Sequence, residues 1–526
     1  MPGTNLTREE AAARAALVTV DTHEVELDVT TGPETFATRS TIRFACAEPG
    51  SETFVDFVGD AVTGLTLNGT ELDPAAHCAD SRITLPRLAA DNLVVITATG
   101  RYTNTGEGLH RFVDPVDDEV YLYSQFEVPD SRRMYPVFEQ PDLKAAFTFT
   151  VTAPAHWQVV SNSPTPDAEP TGEGVATWRF SPTPRISSYI TALVAGPYDV
   201  VRDTLTSRRG EVPLGIFCRK SLTPYLDADN LFDLTKRGFA FFEAEFDCAY
   251  PFEKYDQIFT PEYNMGAMEN AGAVTFNEVY VFRSRVTEAL VERRALTLLH
   301  ELAHMWFGNL VTMRWWNDLW LNESFAEWAS TTCQAEATAW TDAWTTFGTH
   351  EKDWAYRQDQ LSTTHPIVAE IRDLRDVEVN FDGITYAKGA SVLKQLVAFV
   401  GEDAFFRGAR RYFQEHAYGN TALPDLLAAL EGASERDLGA WSAAWLQTSG
   451  VSEVVVERGD DGSLTLVQSD PRPHRLTVGL FAMDGDRLVP RARATVDALT
   501  ARTPIETDAG AAAALIVPNV DDRTYA

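Results

Sequence analysis

The chain has 526 residues, too many for one hydrophobic core, and about three domains is the natural expectation. Lys plus Arg number 44 against 76 Asp plus Glu, a net charge of −32, and so acidic a field repels nucleic acid and anionic membranes as partners. A hydrophobic content of 44% with 11% aromatics argues against large-scale disorder, and no run reaches the ~18 apolar residues of a spanning helix.

The N-terminus, MPGTNLTREEAAARAALVTV, has acids near its start and no apolar h-region before a cleavage site, so it does not read as a signal peptide. Residues 1–198 are expected to form a β domain. His23 to Val29, Thr41 to Phe44 and Phe147 to Val151 alternate apolar and polar residues, with turn clusters at Leu67-Asn68-Gly69 and Ser161 to Pro170. Gly196-Pro197 marks the boundary. Residues 199–446 change to helical patterns at Asp227–Phe246, Val286–Phe307, Glu323–Glu336, Ala387–Val400 and Leu423–Leu446. Gln447 to Gly450 reads as a short linker. Residues 451–526 return to strands, with Asp460-Asp461-Gly462 and Asp484-Gly485 as hairpin turns, and are expected to form a small β-sandwich. The fold class is therefore multidomain α+β. The five cysteines, Cys46, Cys78, Cys218, Cys248 and Cys333, are scattered, and none stands in C-x-x-C spacing, which fits a reducing cytoplasm better than a disulfide framework.

Three stretches carry chemistry. In Asn264-Met265-Gly266-Ala267-Met268-Glu269-Asn270-Ala271-Gly272, the glycines permit the close backbone approach of a strand lining a cleft. His300-Glu301-Leu302-Ala303-His304 lies on the helix predicted from Val286, which Gly308-Asn309 should end. Its spacing sets two imidazoles one turn apart on one face, where both can hold a single Zn²⁺, with Glu301 offset toward a water there. Eighteen residues on, Asn322 is expected to cap a second helix carrying Glu323 and Glu327 on one face. His300, His304 and Glu323 would complete the His₂Glu set of a catalytic zinc. Glu327 or Asp318 could accept the free N–H of a ligand histidine, and the sequence does not choose between them.

G-A-M-E-N followed by H-E-x-x-H-x₁₈-E resembles the aminopeptidase N family of zinc metallopeptidases (the membrane alanyl aminopeptidase type). Ser124-Gln125-Phe126-Glu127, Phe138 to Lys144, His365-Pro366-Ile367 and Tyr386-Ala387-Lys388-Gly389 follow in the family's order, so the resemblance spans essentially the whole chain. It implies a thermolysin-like, α-rich catalytic domain at residues 199–446. It also implies a zinc metalloaminopeptidase with one Zn²⁺ per chain, Glu301 as general base and Tyr386 as donor to the oxyanion. Substrate contacts are implied for Met265, Gly266, Ala267, Met268, Glu269 and Asn270. Glu269 would anchor the substrate's free N-terminus, Glu127 with Gln125 would reach the same ammonium, and Met265 would floor a broadly specific first pocket. The expected partners are peptides with a free N-terminus, acted on by a cytoplasmic monomer without nucleic acid or membrane. The family's C-terminal helical domain is expected to be lacking, since the chain stops at Pro518 to Ala526. A thermolysin-like endopeptidase is disfavoured by the two amine-binding carboxylates, and hydrolysis of a lipid epoxide, known in a related branch, is remoter. A silent scaffold would be expected to lose ligands or base.

Overall fold

The computed structural model describes residues 5–526, so the first four residues of the N-terminal stretch and of the 1–198 segment lie outside it. Packing divides the chain into two compact units. The first comprises residues up to Trp316 with Ile371–Glu378 and His416–Thr421; the second comprises Asn317–Glu370, Val379–Glu415 and Ala422–Ala526.

The first described element is a helix, α1 (Arg8–Leu17), where the sequence reading expected strands. Thr7 Oγ accepts from Glu10 N while the Glu10 side chain accepts from Thr7 N, a T-x-x-E capping box that was present in the sequence and overlooked. The expected strands follow. Val18–Asp28 pairs in parallel with Ala145–Pro154 and antiparallel with Thr35–Cys46, which pairs in turn with Asp91–Arg101. A register shift between Val20 and Thr22 moves the buried face onto His23, Val25 and Leu27. Burial pushes the His23 imidazole down to about 3, so it is a neutral core residue bonded to Ser40. Asn68 and Gly69 both take positive φ in the hairpin read from Leu67-Asn68-Gly69.

Beyond residue 198 the helical reading passes over a five-stranded sheet, ordered Asp199–Ser207, Gly210–Cys218, Tyr255–Thr260, Ala273–Asn277, Ala267–Met268. Its central strands run parallel and Tyr255–Thr260 is buried at every position, so no period-2 alternation marks it. Two helices of this unit, α2 (Ala228–Phe246) and α3 (Glu288–Ala303), approach closely at Gly238, where a Cβ would meet Leu299 and Leu302 at 2.7 Å.

In the second unit α4 (Trp320–Ala337) is buried over nearly all its length. It begins three residues before Glu323, so Asn322 is not its cap. A 3₁₀ turn at Trp316–Asp318 runs straight into the helix through Leu319, whose carbonyl accepts from both Asn322 N and Glu323 N. The predicted Ala387–Val400 helix splits into a π-helical turn, Ile384–Lys388, and α5 (Gly389–Val400). The predicted Leu423–Leu446 helix becomes Leu423–Ser434 and Gly439–Trp445, broken where Glu435 turns to φ 57°. The C-terminal strands form two three-stranded sheets, with Gly462 and Gly485 at positive φ in the expected hairpins. Leu464, Leu466, Leu476, Val478, Leu480 and Val496 from the two sheets share one core, the expected sandwich.

All five cysteines are free. Among the described residues no helix is long and apolar enough to cross a membrane. The contact between α4 and α5 sets a test of packing. A Cβ on Gly389 would lie 1.9 Å from Ser324 Oγ and 2.6 Å from Ser324 Cβ. Gly389→Ala is expected to destabilise the protein by about 1–3 kcal/mol, the usual cost of overpacking, read as a lowered urea midpoint at unchanged m-value.

Candidate metal centre

The last turn of α3 and its exit supply both histidines. His300 lies on the helix and His304 is its C-cap, still at right-handed φ −59°, ψ −22°. The two Nε2 atoms lie 3.0 Å apart. His304 Nδ1 is 2.9 Å from the Phe307 carbonyl, which can only accept, so Nδ1 carries the proton and Nε2 presents a lone pair. A tetrahedral Zn²⁺ with Zn–N bonds of about 2.0–2.1 Å holds two nitrogens roughly 3.3 Å apart, so this pair fits such an ion with a small adjustment. Neither Glu327 nor Asp318 had to be chosen for His304: its partner is a backbone carbonyl.

Carboxylates gather beside the pair. Glu269, Glu301 and His304 offer ligand atoms all within 4.8 Å of one another, and a Glu127 oxygen lies within the same 4.8 Å of Glu269. Glu269 Oε1 is 3.8 Å from His304 Nδ1. Glu269 and Glu301 are buried and Glu127 half-buried. Several carboxylates withdrawn from water beside two imidazoles make a place that favours a cation.

Met265, Gly266, Ala267, Met268, Glu269 and Asn270 run along the sheet edge, with Ala267 opposite Phe276 and Met268 opposite Thr275. Asn309 ties this edge to the metal helix: its side chain donates to Glu269 O (2.7 Å) and its backbone N–H to His304 O (3.0 Å). Asn277 donates to Tyr263 O and Met265 O. Asn270 is buried and bonded to Thr275 Oγ1. Gln125, at the end of the Val120–Gln125 strand, accepts from Tyr263 OH (2.6 Å) and directs its amide N–H to Met265 Sδ (3.2 Å). Gln125 thus braces the Met265 floor. Burial, reinforced by the charges of Glu301 and Glu269, raises the Tyr263 hydroxyl well above its usual range, so it remains a donor.

In the second unit, Glu323 sits buried in the first turn of α4, and the next residue, Ser324, donates to Thr385 O (2.6 Å). That bond fixes the π-turn bearing Tyr386 against α4. Such turns recur at functional sites. Asp382 Oδ1 caps the turn by accepting from Ile384 N (2.9 Å) and Thr385 N (3.1 Å). Its Oδ2 accepts from Gln358 and from His365 Nε2 (2.9 Å). His365 Nδ1 faces Pro366 O at 2.8 Å. Both ring nitrogens therefore face groups that only accept, an arrangement that favours the protonated ring. Burial opposes that charge, but the hydrogen bond and charge of Asp382 outweigh it and raise the pKa above 6.5. Sequence reasoning missed Asp382, Gln358, Tyr263 and Asn309. Asp382 alone left a signal, an Asp before the helical pattern of Ile384 to Val400.

The Peptidase M1 N-terminal domain matches residues 20–190, and the Peptidase family M1 domain matches residues 231–445. An aminopeptidase N of Streptomyces lividans is 55% identical over 100% of this chain and 64% of its own length. The tricorn protease-interacting factor F2 of Thermoplasma volcanium is 34% identical over 69% of this chain and 44% of its own. A leucyl aminopeptidase of Saccharolobus solfataricus is 32% identical over 78% of this chain and 51% of its own. The chain spans less than two thirds of the length of these relatives. With two domains of one family matched in order around the paired histidines, the chain belongs to peptidase family M1, the aminopeptidase N family.

Proposed function

We propose that this chain carries the catalytic machinery of a zinc-dependent aminopeptidase that releases N-terminal residues from peptides. The observation that carries the reading is the pairing of two imidazole Nε2 atoms 3.0 Å apart with the carboxylates of Glu269 and Glu301 within 4.8 Å of His304. His300, His304 and Glu323 would hold one Zn²⁺ per chain. When bound, that ion supplies Lewis acidity, lowering the pKa of a water and polarising a carbonyl. Glu301 accepts the proton of the attacking water and returns it to the departing amine. Tyr386 donates to the developing oxyanion. Glu269 and Glu127 accept from the substrate's ammonium, which sets the scissile bond after the first residue. Met265, held by Gln125, floors the first side-chain pocket, and its flexible thioether suits broad specificity. Gly266, Ala267, Met268 and Asn270 line or support the same edge. We assign residues 1–198 to an N-terminal β domain, 199–446 to the catalytic domain and 451–526 to the β-sandwich. The working form is a cytoplasmic monomer, a reading supported by five free cysteines and the net charge of −32.

Metal removal tests the reading. A strong chelator is expected to abolish release of the chromophore from an unblocked amino-acid anilide, and one equivalent of Zn²⁺, counted by metal analysis, to restore it. Full activity in the metal-free chain refutes it.

Glu269→Ala is expected to lower kcat/KM by about 2–5 kcal/mol, as for truncating a partner of a buried charge pair, without changing zinc content. The preference for free over acetylated termini shrinks with it. An unchanged preference would move the reading toward an endopeptidase.

His365 sets a pH dependence. Its folded pKa is raised above 6.5, so its stabilisation is fully present below 6.5 and is lost as pH rises through the folded value. The melting temperature of the chelated chain is expected to fall on the alkaline side of that window, and His365→Gln to flatten this fall. Parallel curves for the two proteins would show that His365 is neutral.

A further inference from the structure

Residues Asp522–Ala526 fold back over the helices of the second unit and grip them at every step. Lys352 Nζ donates to Thr524 O (2.8 Å) and pairs with Asp522. Tyr356 OH donates to Ala526 O (2.9 Å). Thr524 Oγ1 donates to Gln395 Oε1 (2.6 Å) and accepts from His474 Nδ1. Tyr525 N donates to the same Gln395 oxygen at 3.3 Å. Gln395 lies on α5, the helix that continues directly from the π-turn.

The aromatic ring of Tyr525 is the innermost part of this strap. It is wholly buried, 4.8 Å from the ring of Tyr356, and the ammonium of Lys388 lies over its face at 5.4 Å. Lys388 is the last residue of the π-turn, two positions after Tyr386. Its side chain is fully buried and ion-paired with the equally buried Asp359 at 2.8 Å. Asp359 accepts in turn from Thr364 Oγ1 (2.6 Å) and Gly450 N (2.9 Å). The Lys388 ammonium also approaches the carbonyls of Thr448 and Gly450. A buried ammonium needs this many partners, because each one missing leaves desolvation uncompensated. Removing the Tyr525 ring opens a cavity directly under the charge, and the turn is free to relax into it.

We propose that the Asp522–Ala526 strap is a positioning device for the Tyr386 turn, acting through the Tyr525 ring on Lys388. Tyr525 and Lys388 are positioning residues; neither touches substrate. The proposal rests on the reading of Tyr386 as the oxyanion donor. It gives the C-terminal β-sandwich segment a part in catalysis beyond packing, since the strap follows its last strand, Leu515–Val517.

Variants of the 526-residue chain loaded with zinc test it on an unblocked anilide. Tyr525→Ala is expected to lower kcat about 10- to 10²-fold, the scale of a small misplacement of a catalytic group, with KM and zinc content unchanged. Tyr525→Phe keeps the ring and restores the rate. In a Tyr386→Phe background, Tyr525→Ala is expected to cost nothing further, because the hydroxyl that it misplaces is already gone. A slow Tyr386→Phe chain in which Tyr525→Ala costs as much again overturns the strap alone. A Tyr386→Phe chain with full kcat overturns the reading beneath it as well. If Tyr525→Ala does not fold, Thr524→Val, which removes one side-chain bond of the strap, is expected to show a smaller kcat loss with the same dependence on Tyr386. An unchanged kcat in that variant counts against the strap.

Discussion

Two imidazoles with Nε2 atoms 3.0 Å apart, beside the buried carboxylates of Glu269 and Glu301, are the constraint on which the first unit turns. Lone pairs and anions that face one another out of water repel, and only a cation among them reverses the sign. The surrounding fold holds this unfavourable arrangement in place. His304 is oriented by a backbone carbonyl, Glu269 by Asn309, and the strand edge by Asn277. Each of these partners is a backbone carbonyl or a side-chain amide, groups that do not titrate. These contacts hold the donor atoms of the candidate site in one arrangement.

In the second unit the irregular element is the π-turn that carries Tyr386. A π-turn is rare, and this one is held by contacts from outside it. Asp382 caps its start, Ser324 bonds its middle and Lys388 anchors its end. Polar pairing does much of this work: the His365 ring faces Asp382 and the Lys388 ammonium faces Asp359. A buried pair such as Lys388–Asp359 adds little net stability compared with apolar packing, but removing either partner leaves an uncompensated buried charge.

Much of the site was legible because its chemistry is written in local spacing. His300 and His304 at i and i+4 must share a helix face, and they do so even though the helix proper ends at Ala303. Alternation found the strands around Val25 and Phe149, and glycine turns found the sandwich hairpins. Where the sequence misled, the physical cause can be named. Tyr255–Thr260 is buried on both faces and carries no alternation, so it did not register as a strand. Asn322 is a good capping residue, but a preceding 3₁₀ turn had already started the helix, and tertiary packing overrode the propensity. Thr7 and Glu10 announced α1 plainly and were passed over.

The amino-acid sequence by itself determined the identities and local spacing of the groups in the candidate site: the paired histidines, Glu301 between them, and the G-A-M-E-N edge. Those depend on helical and strand periodicity, which act over a few residues. Only the tertiary structure decided which neighbours tune them. Gln125 meets Met265 across 140 residues, His365 meets Asp382 across 17, and Thr524 meets Gln395 across 129. No periodicity encodes such pairs. They exist because burial leaves a polar atom one available partner, and chain topology chooses which distant residue supplies it.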